Sequence, residues 1–177
     1  DPLMGWAGSG DTRRQLQLAF PTADAAKAYA DRKGISYQTL FGPYIAGASR
    51  IIVTDPYIRF FYQIRNMMEF VELVIRHKAP EDQVAIHLVT GPDDGNIAKQ
   101  RELLESITAA CAGTGVDFTW AYDGTGTAHA RDIVTDTGWK IVLDRGLDIF
   151  QAPIKTEGFS LGDRLQEHRM LKGFYVT

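Results

Sequence analysis

Residues 124 to 139 read Gly-Thr-Gly-Thr-Ala-His-Ala-Arg-Asp-Ile-Val-Thr-Asp-Thr-Gly-Trp, and they concentrate the side chains able to do chemistry. Ala128 to Thr135 has the alternation of a strand, which sends His129, Arg131 and Ile133 to one face. An imidazole and a guanidinium side by side suit a phosphate oxyanion, since arginine can make a bidentate contact to phosphate. Asp136 follows in an Asp-Thr-Gly turn, and its bland reading is turn chemistry. Lys140 lies on the next strand and Arg145 just beyond it, so both join the candidate ligand-binding set. Hairpin register decides which of these share a face, and only His129 and Arg131 are assigned together.

The spacing His129-x-Arg131-x-x-x-x-Asp136 resembles the His-x-Lys-x-x-x-x-Asp motif of the phospholipase D superfamily, with arginine in the lysine position. The resemblance implies one histidine attacking phosphorus and a second protonating the leaving group. One motif per chain then requires two copies to meet across a dimer. Three readings stay open for His129 and Arg131: an active phosphodiesterase (His129, Arg131 and Asp136 catalytic), a ligand-binding remnant, or a structural pair. Arginine keeps the charge of lysine but alters the geometry of phosphate contact. Of the other histidines, His77 falls at a helix end, His87 in a strand and His168 in the last helix.

Competing sites are weaker. Asp55 precedes Pro56, the pattern of an N-cap aspartate with proline at the first helical position. Asp148 sits in Arg145-Gly-Leu-Asp148, where Arg145 and Asp148 suit a turn-stabilising ion pair. No His/Asp/Glu cluster has metal-ligand spacing, and neither a metal nor a cofactor is expected. Gly124-Thr-Gly-Thr127 lacks the lysine and following helix of a P-loop.

These residues need a frame. The first 37 residues suggest a small strand-helix-strand unit: a strand over Gln15–Phe20, a helix over Ala23–Lys33 capped by Thr22 and stopped by Gly34, then a second extended segment from Ile35 and Tyr37. A short helix or turn follows around Gly42-Pro43. Arg50–Thr54 reads as a buried strand, and a helix is expected from Pro56 to about His77. Its polar positions, Arg59, Gln63, Asn66, Glu69, Glu72 and Arg76, form one narrow face, which would bury Phe60, Phe61, Met67, Met68 and Phe70. Ala79-Pro80 ends that region. Val84–Thr90 is the next strand. A helix capped near Asn96 runs to about Ala112 with Ile97, Leu104, Ile107 and Cys111 on one face. Val116–Tyr122 is the third strand. Asp136-Thr-Gly138 turns a hairpin into Trp139–Leu143, Ser160 or Asp163 opens a last short helix, and Gly173–Thr177 is a final strand. Alternating strands and helices followed by a hairpin imply an α/β sandwich with a mixed central sheet.

Phrases along this frame resemble one family in order: Leu40-Phe-Gly-Pro-Tyr44, Ile52-Val-Thr-Asp-Pro-Tyr-Ile-Arg59, Ile86-His-Leu-Val-Thr90, His129-Ala-Arg131, Gly138-Trp-Lys-Ile141, Arg145-Gly-Leu-Asp-Ile-Phe150 and Phe159-Ser-Leu161. They are similar to the phospholipase-D-like C-terminal domain of proteins carrying a microtubule-interacting-and-transport (MIT) domain. That resemblance covers about residues 40 to 177. It implies a dimeric, membrane-associating, non-catalytic module, with bacterial relatives attached to ATPase-type proteins. The opening differs. Asp1-Pro-Leu-Met-Gly-Trp6, Ser9-Gly-Asp11, Ala25-Ala-Lys-Ala-Tyr-Ala30 and Gly34-Ile-Ser-Tyr37 resemble the small accessory subunit of respiratory NADH:ubiquinone oxidoreductase. Residues 1–37 and 38–177 are therefore read as separate units.

Composition sets the bounds. The chain has 177 residues, 45% of them hydrophobic, enough for a packed core. A net charge of −3 argues against general nucleic-acid binding. Cys111 is the single cysteine, so no intrachain disulfide forms and a reducing compartment is the simplest reading. No run reaches the roughly 18 apolar residues of a membrane span. The chain opens on Asp1 with no signal peptide in view, which leaves room for residues ahead of it. The expectation is a cytoplasmic homodimer, peripheral at an anionic phospholipid surface or bound to an ATPase-type or other protein. A phosphodiesterase or nuclease and a respiratory accessory protein are the alternatives.

Overall fold

The computed structural model describes residues 4–5, 17–19, 35–125, 130–151 and 164–176. In chain order the elements are β1 (Met4–Gly5), β2 (Gln17–Ala19), α1 (Tyr37–Ile45), β3 (Arg50–Thr54), α2 (Phe61–His77), β4 (Val84–Thr90), α3 (Ile97–Ala110), β5 (Val116–Tyr122), β6 (Asp132–Thr135), β7 (Lys140–Val142), a 3-10 turn (Gln166–His168) and β8 (Tyr175–Val176). The main sheet has the order β5-β4-β3-β6-β7. β3, β4 and β5 are parallel, whereas β6 runs antiparallel to β3 and β7 antiparallel to β6. This is the expected α/β fold with a mixed sheet.

Both parallel crossovers, β3-α2-β4 and β4-α3-β5, step in the same direction across the sheet. Right-handed crossovers that step the same way place their helices on the same face. One sheet face is thereby buried: Ile51, Val53, Ile86, Leu88, Phe118, Ile133 and Ile141 join Phe41, Met67, Phe70, Val71 and Leu104 from the helices in a single core. The alternate residues, among them Ala85, Asp117 and Thr119, are exposed on the other face. His87 lies there at half burial, with Nδ1 2.8 Å from Thr119 Oγ1.

Several local expectations need correction. Tyr37 does not begin an extended segment. It opens α1, because Ser36 and Thr39 cap each other: Thr39 Oγ1 accepts from Ser36 N–H at 2.9 Å and Ser36 Oγ accepts from Thr39 N–H at 3.4 Å. Pro43 lies within α1, and Gly42 lets the ring of His77 from α2 approach closely, since a Cβ there would sit 2.9 Å from His77 Cε1. β6 begins at Asp132, later than the Ala128 expected, and 126–129 lie outside the described residues. So do the expected helix over 23–33 and the helix start at 160 or 163. His168 belongs to a 3-10 turn.

The largest correction concerns α2, which starts at Phe61 and not at Pro56. The chain stays in the sheet ladder past Thr54: Asp55 N–H donates to Val89 O at 3.0 Å, and Pro56 O accepts from Gly91 N–H at 3.2 Å. The Asp55 side chain then accepts from Tyr57 N–H at 2.9 Å, a turn of its own that competes with a helix cap. Gln63 starts the helix by reaching back, its Oε1 accepting from the N–H groups of Arg59 and Phe60 at 3.0 Å each. The phase of the helix shifts accordingly. Asn66 is buried, whereas Met68 is 38% exposed, so Met68 is not core.

At the chain's ends, β8 pairs with β2, which also pairs with β1, in a separate three-stranded sheet. The segment before β8 is fastened to α2: Arg169 forks onto both oxygens of Glu69 at 2.6 Å, and Gln166 Nε2 donates to Glu69 at 2.8 Å.

Candidate functional site

A polar crevice of about 220 Å³ opens at the carboxyl end of β3. Its walls are Asp55, Tyr57, Ile58, Gln63, Asn66, Arg131, Arg145 and Asp148. Topology explains the position. The chain leaves β3 towards β4 on one side and later returns along β6 on the other. A crevice outside the strand ends at such a switch point is where open α/β sheets place ligands.

The loop from Asp55 to Phe60 forms one wall, and a buried amide holds it. Gln100 of α3 is 1% exposed and uses its whole side chain. Its Nε2 donates to Ile58 O and Gly91 O at 2.9 Å each, while Oε1 accepts from Asp93 N–H at 2.8 Å and Tyr122 O–H at 3.1 Å. It thus ties the loops after β3 and β4 to each other. Nothing in the sequence singles out Gln100, because a glutamine in a helix normally marks the solvent face.

Arg131, one residue before β6, forms the opposite wall. Its Nη1 donates to Asp144 O at 2.9 Å, its guanidinium lies 4.2 Å from the centre of the Tyr57 ring, and its Nε is 4.0 Å from Asp55 Oδ1. A backbone acceptor, a ring face and a carboxylate therefore set the orientation of one cation. Arg145 joins it at the crevice, with Nε donating to Gly173 O. The expected Arg145–Asp148 pair does not form. Asp148 instead binds Lys172 Nζ at 2.7 Å, because the segment after 164 brings Lys172 alongside.

Asp55 is 3% exposed. Burial lifts its carboxyl from 3.8 to about 6, and the hydrogen bond from Tyr57 and the charge of Arg131 offset only part of that. Gly146, at φ +61°, passes so close that a Cβ there would collide with Asp55 Oδ2. Glycine is required at 146 on both counts.

The remaining candidates stand elsewhere. Lys140 is on the outer sheet face, 3.3 Å from Asp132 Oδ2. Asp136 is at the far end of β6, accepting from Ser49 N–H at 3.0 Å and from its hydroxyl. Slight burial tends to raise its carboxyl, but the Ser49 hydrogen bonds prevail and hold it below the usual range. His129 lies outside the described residues. The structure thus brings Arg131 and Arg145 together and sets Lys140 and Asp136 apart from them. Sequence reasoning missed four wall residues, Tyr57, Ile58, Gln63 and Asn66. It singled out Asp55 only as a cap and Asp148 only as Arg145's partner.

One further feature escaped it. Phe60, Phe61 and Tyr62 are 54%, 66% and 50% exposed at the start of α2. Among the described residues, no helix is long and apolar enough to cross a membrane, and no group of three or more His, Cys, Asp or Glu is placed to hold a metal ion.

Comparison with known proteins agrees with this architecture. Residues 1–55 match the family described as NADH dehydrogenase ubiquinone Fe-S protein 4, so that likeness runs beyond the Tyr37 at which the sequence motifs stop. MIT domain-containing protein 1 of Mus musculus is 36% identical over 132 residues, 73% of this chain and 50% of that protein. The chain thus spans about half the length of this relative. Residues 34–177 match the family described as the phospholipase D-like domain at the C-terminus of MIT. With most of its length under that match and the mixed α/β sheet to go with it, the chain belongs to the family of phospholipase D-like domains found at the C-terminus of MIT proteins.

Proposed function

We propose that the domain is a non-catalytic recruitment module whose crevice takes the phosphate of an anionic lipid headgroup, working as a cytoplasmic homodimer peripheral to a membrane. The observation that carries the reading is Arg131, braced by Asp144 O and the Tyr57 ring, with Arg145 beside it on the same crevice. A pre-oriented guanidinium loses little freedom when it binds an oxyanion. With Lys172 paired to Asp148, three cations, Arg131, Arg145 and Lys172, stand against the two wall carboxylates Asp55 and Asp148, which leaves one net positive charge. In this reading residues 38–177 are the working unit, with 1–37 an appendage that shares a small sheet with β8.

Co-sedimentation with vesicles tests the proposal. Vesicles of phosphatidylcholine alone are compared with vesicles that also contain phosphatidylserine. Anionic selectivity is expected, with a loss of roughly tenfold or more in Arg131→Glu and again in Arg145→Glu, from about 1 kcal/mol per basic residue. Binding should weaken with salt. Equal binding to both vesicle types would leave a protein partner as the better reading. Turnover of a phosphodiester that His129→Ala abolishes would replace the module with a phosphodiesterase. The match over 1–55 supports a second reading, an accessory role in a respiratory complex. Co-migration with that complex on native gels tests it, and migration apart from it would remove it.

A further inference from the structure

We propose that Tyr57, Phe60, Phe61 and Tyr62 form a membrane-anchoring knob that enters the bilayer interface beside the crevice. The inference rests on reading the crevice as a lipid-headgroup site and says how the domain meets the lipid. Four aromatic rings are 39%, 54%, 66% and 50% exposed within six residues. Such a cluster on a protein surface marks a contact site. The rings are presented by a well-tied loop: Gln63 caps Arg59 and Phe60, and buried Gln100 holds Ile58 O. Phe60 stacks on Tyr62 with centroids 6.4 Å apart.

Shape and charge select the occupant. Phe60, the extended residue ahead of the helix, stacks on Tyr62, while Phe61, one helical step from Tyr62, points about 100° away, so the rings give no single flat face. A rigid partner would have to match both these rings and the hollow that Phe60 and Phe61 line with Leu103, whereas a fluid interface closes around them. Cations flank the tyrosine side of the knob: Arg59 at 5.5 Å and Arg131 at 4.2 Å from the Tyr57 ring centre, and Lys172 at 6.0 Å from that of Tyr62, with Asp55 facing Arg131 and Asp148 paired to Lys172. Aromatic rings flanked by basic groups suit the boundary between anionic headgroups and acyl chains.

The test uses the whole chain with vesicles of phosphatidylcholine and phosphatidylserine, and short-chain phosphatidylserine as a soluble monomer. In Phe60→Ser/Phe61→Ser, vesicle affinity should fall at least roughly tenfold, since each ring loses an apolar contact of more than one tenfold step. Affinity for the soluble lipid should be unchanged. Phe61→Cys carrying an environment-sensitive fluorophore should shift to the blue on vesicles; Cys111 is buried and does not compete for the label. Unchanged vesicle affinity in the double variant, or no spectral shift, would overturn the knob while leaving the crevice to stand or fall on Arg131→Glu. A double variant that loses a solution dimer would overturn it too, by making the knob a subunit contact. Absence of binding by the unaltered protein to either vesicle or soluble lipid would overturn both readings.

Discussion

Asp55 carries the sharpest consequence at the scale of single residues. Its carboxyl is raised from 3.8 to about 6, so the fold binds its proton more tightly than the unfolded chain does. The associated stability is fully present below about pH 4 and is lost as pH rises through 6. At neutral pH the buried charge costs up to roughly 3 kcal/mol. Asp55→Asn is therefore expected to raise the melting temperature at pH 7, with the gain shrinking to nothing near pH 4; equal effects at both values would show that the shift is not the cause. Arg131 and Arg145 stood out in the sequence as candidate cations, but their sharing one crevice did not, since hairpin register leaves shared faces open. Asp55 was misread because Asp-Pro is a strong local helix-start signal. What overrides it is non-local: the ladder bonds to Val89 and Gly91 hold the chain extended there.

The five-residue delay in the start of α2 matters at the scale of the element. It leaves a loop long enough to form one crevice wall, and it places the aromatic residues on the helix end. The sequence pattern showed a helix with a narrow polar face, but which face meets the core depends on where packing anchors it. Phe70, at 0% exposure, packs edge-on to Phe41 of α1, with centroids 5.9 Å apart, and sets that phase. Met68→Asp should thus be tolerated, within about 0.5 kcal/mol of the unaltered protein, as for other surface changes. Phe70→Ala should cost about 3–5 kcal/mol. Urea melts of the two variants distinguish them, and a collapse of Met68→Asp would place that side chain back in the core. By contrast β4 and β5 were legible residue for residue, since alternation over seven positions between glycine or proline punctuation admits one register.

The assembly is the question that belongs to the whole molecule. With both crossovers on one side, the outer sheet face carries Ile52, Val89 and Val134 at half burial and Val142 at 41% exposure. Light scattering at tens of micromolar should give twice the chain mass if the proposed homodimer forms, and a monomer mass would remove it. Of the order of the five strands only the β6-β7 hairpin was legible, from its Asp-Thr-Gly turn. Hydrophobic alternation identifies strands but not neighbours, and the insertion of β6 beside β3 follows from where the chain returns after β5. The pairing of β2 with β8 has a kinetic meaning. It joins positions 18 and 176, nearly the full length of the chain, whereas β3, β4 and β5 meet across a single helix each. Closing a long loop costs more chain entropy than closing a short one, so contacts of high sequence separation form late. The parallel core is expected to assemble first and the two chain ends to meet last. On the ribosome that last step must wait for residues 175 and 176 to clear the exit tunnel, and until then β2 is held without its final partner.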